Sequence, residues 1–165
     1  MTRNLTRCAL FAAGIALCAW VGIPLGHTVF TMQTFGVLLA LGVLGGKRGA
    51  AAIACYLLLG AMGLPVFSGF RGGIGAILGP TGGYLFGFLL TALLYRLLER
   101  LGTLPAMIAG LLGCYACGTL WYMVYTDGGL ALVLSQTVLP YLIPDALKLS
   151  LALKISKRLK KSTVF

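Results

Sequence analysis

The chain has 165 residues, of which 59 % are hydrophobic and only 10 % charged, with a formal net charge of +10. A soluble globular domain carries roughly 25 % charged residues, so this chain has too little polar surface for a water-facing exterior and reads as an integral membrane protein. Its basic residues sit in short clusters between apolar runs and at the ends, with no aromatic–basic interleaving, which argues against a nucleic-acid partner and makes the charge a topology signal.

Met1 to Ile23 opens like a secretory signal, with Arg3 and Arg7 ahead of an apolar run. The run is long for a signal core and no small-x-small cleavage site closes it, so a retained first helix is expected over 5–23. Ala9/Ala13 and Ala12/Ala16 form overlapping small-x-x-x-small pairs on it. Such pairs let another helix approach closely, and internal packing explains them as well as partner docking does. Thr31 and Gln33 then fall at the outer start of a second helix over 30–46. Interfacial solvation and a place in a pocket are equally good readings of both. His27 reads as a loop residue, since a lone histidine makes no metal site.

A third helix over 49–64 follows the second after only Gly45-Gly46-Lys47-Arg48, which predicts an antiparallel hairpin on a tight basic turn. A fourth span is expected over 81–100, a fifth over 104–125 and a last over 129–158. Each approaches the roughly 20 apolar residues that a membrane crossing takes. Glu99, between Arg96 and Arg100, reads as part of a solvated cluster, and Trp20, Trp121 and Tyr122 as interfacial belt residues. The five cysteines all lie in apolar segments, an odd count unlike a disulfide framework. Cys114-x-x-Cys117 lacks the strand–helix setting of a redox pair and reads as small apolar packing.

The basic clusters set the topology. Six spans with both termini cytoplasmic place Arg3, Arg7, Lys47, Arg48, Arg96, Arg100 and the C-terminal run from Lys154 to Lys161 on one face. Of the lysines and arginines, only Arg71 and Lys148 fall elsewhere. The fold class expected is therefore an all-α membrane protein: one six-helix bundle, residues 1–165 forming a single domain, with a glycine-rich outer loop between helices 3 and 4.

That loop belongs to the stretch GLPVFSGFRGGIGAILGPTGGYLFGF, residues 63–88. It is not a phosphate-cradling loop, because no lysine follows its glycines, and its glycine spacing misses the dinucleotide fingerprint. Gly79 and Gly83 make a GxxxG pair that straddles the loop–helix junction. Two readings stand: an ordinary connector, or a lid over a cavity between the helices, since irregular backbone at membrane depth is tolerated where it lines a cavity. Thr81 is placed to N-cap the fourth helix.

The last span carries Asp145 and Lys148 in PDALKLSLALKISKR. Three residues apart on a helix, they are neighbours on one face. Each charge costs about 2.5–3.5 kcal/mol at mid-bilayer, so they are expected to pair and face the interior. Asp145 lies roughly 13 Å deeper than Lys154, at about 1.5 Å per residue. A pair that only fixes helix packing is one reading; the polar floor of a ligand pocket is the other. Pro140 and Pro144 interrupt the ladder before them, predicting a final helix that starts near Pro144 inside the membrane, a pointer to substrate sites in transporters.

GLPVFSGFRGG at 63–73, LGPTGGYLFGF at 78–88, P-D-x-x-K at 144–148 and IPLGHTVFTMQTF at 23–35 resemble the BioY family, the biotin-specific S components of energy-coupling-factor vitamin transporters. The resemblance spans nearly the whole chain. It implies a biotin uptake subunit, not an enzyme and without catalytic residues, metal or cofactor, in a bacterial plasma membrane. It further implies as partners the membrane coupling subunit EcfT and cytoplasmic ATPase subunits, since the chain carries no ATP site of its own. The family's ligand-binding Asp and Lys match Asp145 and Lys148, and its docking positions match Ala9 and Ala13. Arg71 would meet the ligand's carboxylate; Gln33, Thr81 and Tyr84, with Phe67 as a wall, complete the candidate substrate-binding set. Phe70 stands where many relatives carry glycine. An S component for another vitamin, a membrane thiol oxidoreductase built on Cys114 and Cys117, and a purely structural protein are the competing readings.

Overall fold

The computed structural model describes residues 2–25 and 28–161; His27 lies outside them. The elements run α1 (Thr2–Trp20), β1 (Gly22–Leu25), β2 (Thr28–Thr31), α2 (Gln33–Ala61), α3 (Ile74–Ile77), α4 (Gly82–Leu98), α5 (Thr103–Thr126), α6 (Leu130–Thr137) and α7 (Leu142–Lys161). The protein is a mostly helical membrane fold. The stretches Gln33–Ala61, Thr103–Thr126 and Leu130–Lys161 are long and apolar enough to cross a bilayer. Leucines such as Leu93, Leu112 and Leu147 face outward, as a bilayer-facing surface requires.

α2 is two helices rather than one. Gly45 (φ 79°, ψ 169°) leaves the helical region, and the chain reverses there. A Cβ on Gly49 would stand 2.9 Å from Leu41 Cα, although eight residues of straight helix would separate them by about 12 Å. The expected hairpin at Gly45–Arg48 is therefore present. Glu99 departs from its reading as a merely solvated charge. Its Oε2 accepts the Gly46 N–H at 2.7 Å, so it satisfies one of the orphan donors where the second arm begins.

The two arms form the centre of the bundle and pack on α1, α4 and α7, while α4 lies along α5. Small residues permit these approaches, the usual device where no hydrophobic effect drives helices together. On α1 the alanines divide: Ala12 and Ala16 are buried, while Ala9 and Ala13 are exposed. Between α4 and α5, the Thr91 hydroxyl lies 2.9 Å from the carbonyls of both Gly87 and Gly110. A side chain on Gly110 would press on Thr91 itself.

Three local features differ from the sequence expectation. Helix 1 stops at Trp20, and β1 and β2 pair antiparallel, with Gly22 opposite Thr31 and Ile23 opposite Phe30. Pro24 cannot donate to a helical ladder, and an aromatic followed by a β-branched residue at 30–31 favours extended backbone. The glycine-rich loop is not wholly irregular: it holds a 3₁₀ turn at Ser68–Phe70, the one-turn α3 and a bridge between Phe67 and Arg71. Finally, α7 begins at Leu142, two residues before Pro144. The break lies at Val138 (φ −121°, ψ −55°) and the 3₁₀ turn Leu139–Tyr141. Pro144 sits within the first turn of α7, where a missing N–H leaves no intrahelical bond unmade.

Candidate ligand-binding site

The break between α6 and α7 aims the first turn of α7 at the bundle interior. Asp145 lies in that turn, where the positive end of the helix dipole favours an anion. Lys148 follows one turn later, and its Nζ donates to Asp145 Oδ1 at 2.7 Å. Asp145 is 4 % and Lys148 5 % exposed. The expected pairing of the two interior charges is thus present. Two further contacts hold it. Tyr115 on α5 donates its hydroxyl to Asp145 Oδ2 at 2.6 Å. Lys148 also donates to the Thr31 carbonyl at 2.6 Å and stands 3.9 Å from the centre of the Phe30 ring, a favourable place for a desolvated cation.

These charges line a cavity of about 110 Å³. α4 contributes Tyr84, Leu85 and Phe88; α5 adds Cys114 and Tyr115; Thr137 and Tyr141 come from the broken helix. Tyr84 donates its hydroxyl to the Thr137 carbonyl at 3.2 Å, tying α4 to the end of α6. Tyr141 and Phe30 stack nearly parallel, with centroids 6.4 Å apart. Gln33 is buried and donates to the Tyr56 hydroxyl at 2.7 Å, and Tyr56 in turn donates to the Val66 carbonyl at 3.2 Å. Gln33 is therefore a cavity residue and not an interfacial one.

The loop over 62–81 supplies Phe67, Ser68, Arg71, Ala76 and Thr81 to the same cavity. Phe67 packs edge-on to Tyr56 with centroids 5.6 Å apart. Its ring lies so close to Gly60 that a Cβ there would fall within 2.1 Å of it. Arg71 Nε donates to the Ser68 carbonyl at 3.2 Å. Trp20 and Trp121 are not plain belt residues. Trp20 donates to the Pro65 carbonyl at 2.8 Å and stacks on Phe70, with centroids 5.0 Å apart. Trp121 donates to the Gly79 carbonyl at 2.9 Å. Thr81 occupies the N-cap position of α4 but makes no side-chain capping bond; its expected capping role is not realised.

Gln33, Arg71, Thr81, Tyr84, Asp145 and Lys148 thus all border one cavity, with Phe67 beside them. Tyr115, Thr137 and Tyr141 were not singled out by sequence. Tyr115 carried a usable signal: a phenol midway along an apolar helix needs a hydrogen-bond partner. Cys114 is buried and its Sγ lies 3.8 Å from the Tyr84 carbonyl. Cys117 is a free thiol too, and both fit packing better than redox chemistry.

The sequence profile of the BioY family matches residues 1–164. The chain belongs to the BioY family. A protein of Thermotoga maritima named biotin transporter BioY is 43 % identical over 98 % of both chains. A probable biotin transporter BioY of Pyrococcus horikoshii is 39 % identical over 94 % of each. Among solved structures, the S-component for biotin from an ECF-type ABC transporter is 30 % identical. It superposes with a TM-score of 0.90 over 98 % of this chain and 92 % of its own. These BioY relatives are transporters, not enzymes, and the helical architecture described above is that of the S-component fold.

Proposed function

We propose that this chain is the biotin-binding S component of an energy-coupling-factor transporter in a bacterial plasma membrane. Residues 1–165 act as one membrane-embedded substrate-binding domain. Both termini face the cytoplasm, as the basic residues of the Gly45–Arg48 turn, the Arg96–Arg100 cluster and the end of α7 support. Biotin enters from outside, beneath the glycine-rich loop.

The observation that carries this reading is the buried Asp145–Lys148 pair bordering an otherwise largely apolar cavity. One N–H of a cyclic urea lies beside the ring carbonyl, a donor next to an acceptor. Asp145 and Lys148 present the complement, an acceptor next to a donor. Lys148 spends two of its three protons on Asp145 and Thr31, leaving one for the ligand carbonyl. Such charge-assisted bonds in a dry site are the strong ones. Phe67, Tyr84, Phe88 and Tyr141 offer apolar surface for the fused ring. Gln33 has its carbonyl left to accept, and Arg71 on the loop meets the valerate carboxylate; Thr81 borders the same end.

Transport needs partners, because the sequence holds no nucleotide site. The reading assigns the energy to a membrane coupling subunit and paired cytoplasmic ATPases. The exposed Ala9/Ala13 face of α1 supports a docking role for those residues, since Ala12/Ala16 already account for internal packing.

Titration of the purified protein with labelled biotin tests the proposal. Saturable one-to-one binding at nanomolar to micromolar concentration is expected. No binding in that range overturns it, and saturable binding of a different vitamin instead would make the chain an S component for that vitamin.

A further inference from the structure

A carboxylate on a helix is a poor recognition element when its only anchor is a flexible neighbour. Lys148, on the same helix, has four rotatable bonds and would let the Asp145 carboxylate swing with it. The Asp145 carboxylate has a second anchor from a different helix. Tyr115 reaches from α5 to Oδ2 at 2.6 Å while Lys148 holds Oδ1 at 2.7 Å. Each oxygen is thus fixed by one donor, and each keeps a lone pair for another. The tyrosine is a stiff support, because its hydroxyl is placed by two torsions only.

We propose that Tyr115 is the positioning residue of the site: it fixes the plane of the Asp145 carboxylate so that the remaining lone pairs meet the ligand's N–H group. This inference rests on the biotin reading above. It assigns Tyr115 a function through Asp145 and not through its own contact with the ligand. Preorganisation of this kind lowers the ordering cost of binding.

Two features make the idea testable in the intact protein. Tyr115→Phe removes the hydroxyl and keeps the ring, so the cavity wall and the α5 packing remain. The chain also has only three acidic side chains, Glu99, Asp127 and Asp145, so the carboxylate stretch of Asp145 can be assigned in the infrared by its loss in Asp145→Asn.

In Tyr115→Phe, biotin binding weakens about tenfold to a hundredfold, the range for a hydrogen bond to a charged group. In the Asp145→Asn background the same substitution changes the Kd by less than about threefold, because coupled residues are non-additive. Without any ligand, the Asp145 carboxylate band shifts in Tyr115→Phe. Wild-type affinity in Tyr115→Phe overturns the inference. So does a full additive loss in the Asp145→Asn background, which would place Tyr115 directly on the ligand, and so does an unmoved carboxylate band. Failure of the wild-type protein to bind biotin overturns the functional reading instead, and the infrared measurement still decides whether Tyr115 holds Asp145.

Discussion

Asp145 and Lys148 stand on a helix, and each is fixed by two polar partners from different parts of the fold. Arg71 borders the same cavity from a loop, and its Nε donates to the Ser68 carbonyl three residues back. The loop backbone bends through positive φ at Gly63, Gly69 and Gly73, and at Phe70, which is not a glycine. It is tethered at its margins: Trp20 to Pro65, Tyr56 to Val66, and Trp121 to Gly79. The charge pair is thus preorganised on rigid helices, while the loop is held by a few separable bonds. The function proposed above needs both, because a site rigid on every side would have no entry.

The sharpest way to break this contrast is to remove a charge from each side. Lys148→Ala leaves Asp145 buried with Tyr115 and, on the proposed function, strips the ligand carbonyl of its donor. Truncating one partner of a buried, hydrogen-bonded charge pair costs about 2–5 kcal/mol, so the biotin Kd is expected to rise by roughly 30-fold or more. Arg71→Ala removes a charge from an exposed side chain that water can replace. A smaller rise, up to about tenfold, is expected for a partly solvated charged hydrogen bond, with no loss of thermal stability. Equilibrium binding on the two purified variants checks both. An Arg71→Ala effect equal to that of Lys148→Ala would erase the distinction between the two sides.

The two sides also differed in how far sequence could reach them. The mostly helical membrane fold, the turn at Gly45–Arg48 and the i, i+3 spacing of Asp145 and Lys148 are legible because each depends on neighbouring residues. The contact of Glu99 is not legible, because its partner, the Gly46 amide, lies 53 residues away in the chain. Tyr115 is hidden for the same reason, being 30 residues from Asp145 and outwardly another aromatic in an apolar helix. The pairing of β1 with β2 is hidden because strands of four residues are too short to show a period of two against an apolar background. Thr81 shows the converse error. A threonine ahead of a helix is a good capping candidate, yet here the first turn forms without its hydroxyl.

Phe70 offers the finest test, because two opposing terms meet at one residue. Its φ of 56° is a conformation that glycine adopts without cost and other residues enter at about 1–2 kcal/mol. Against that, its ring is 64 % exposed and stacks on Trp20, a contact of about 0.5–1.5 kcal/mol. Phe70→Gly removes the strain and the stack together, so the two changes nearly cancel in folding stability and the thermal midpoint should barely move. They do not cancel in kinetics. Trp20 lies at the C-terminal end of α1 and holds the loop at both Pro65 and Phe70, and without the stack one of these two ties is gone. Biotin dissociation, followed by displacement with excess unlabelled ligand, should then accelerate by about two- to tenfold, while Lys148 and Asp145 keep the equilibrium contacts intact. An unchanged off-rate would mean that the loop's other ties, at Pro65, Val66, Phe67 and Gly79, hold it without the stack. The aromatic stack would then offset a strained backbone without closing the cavity.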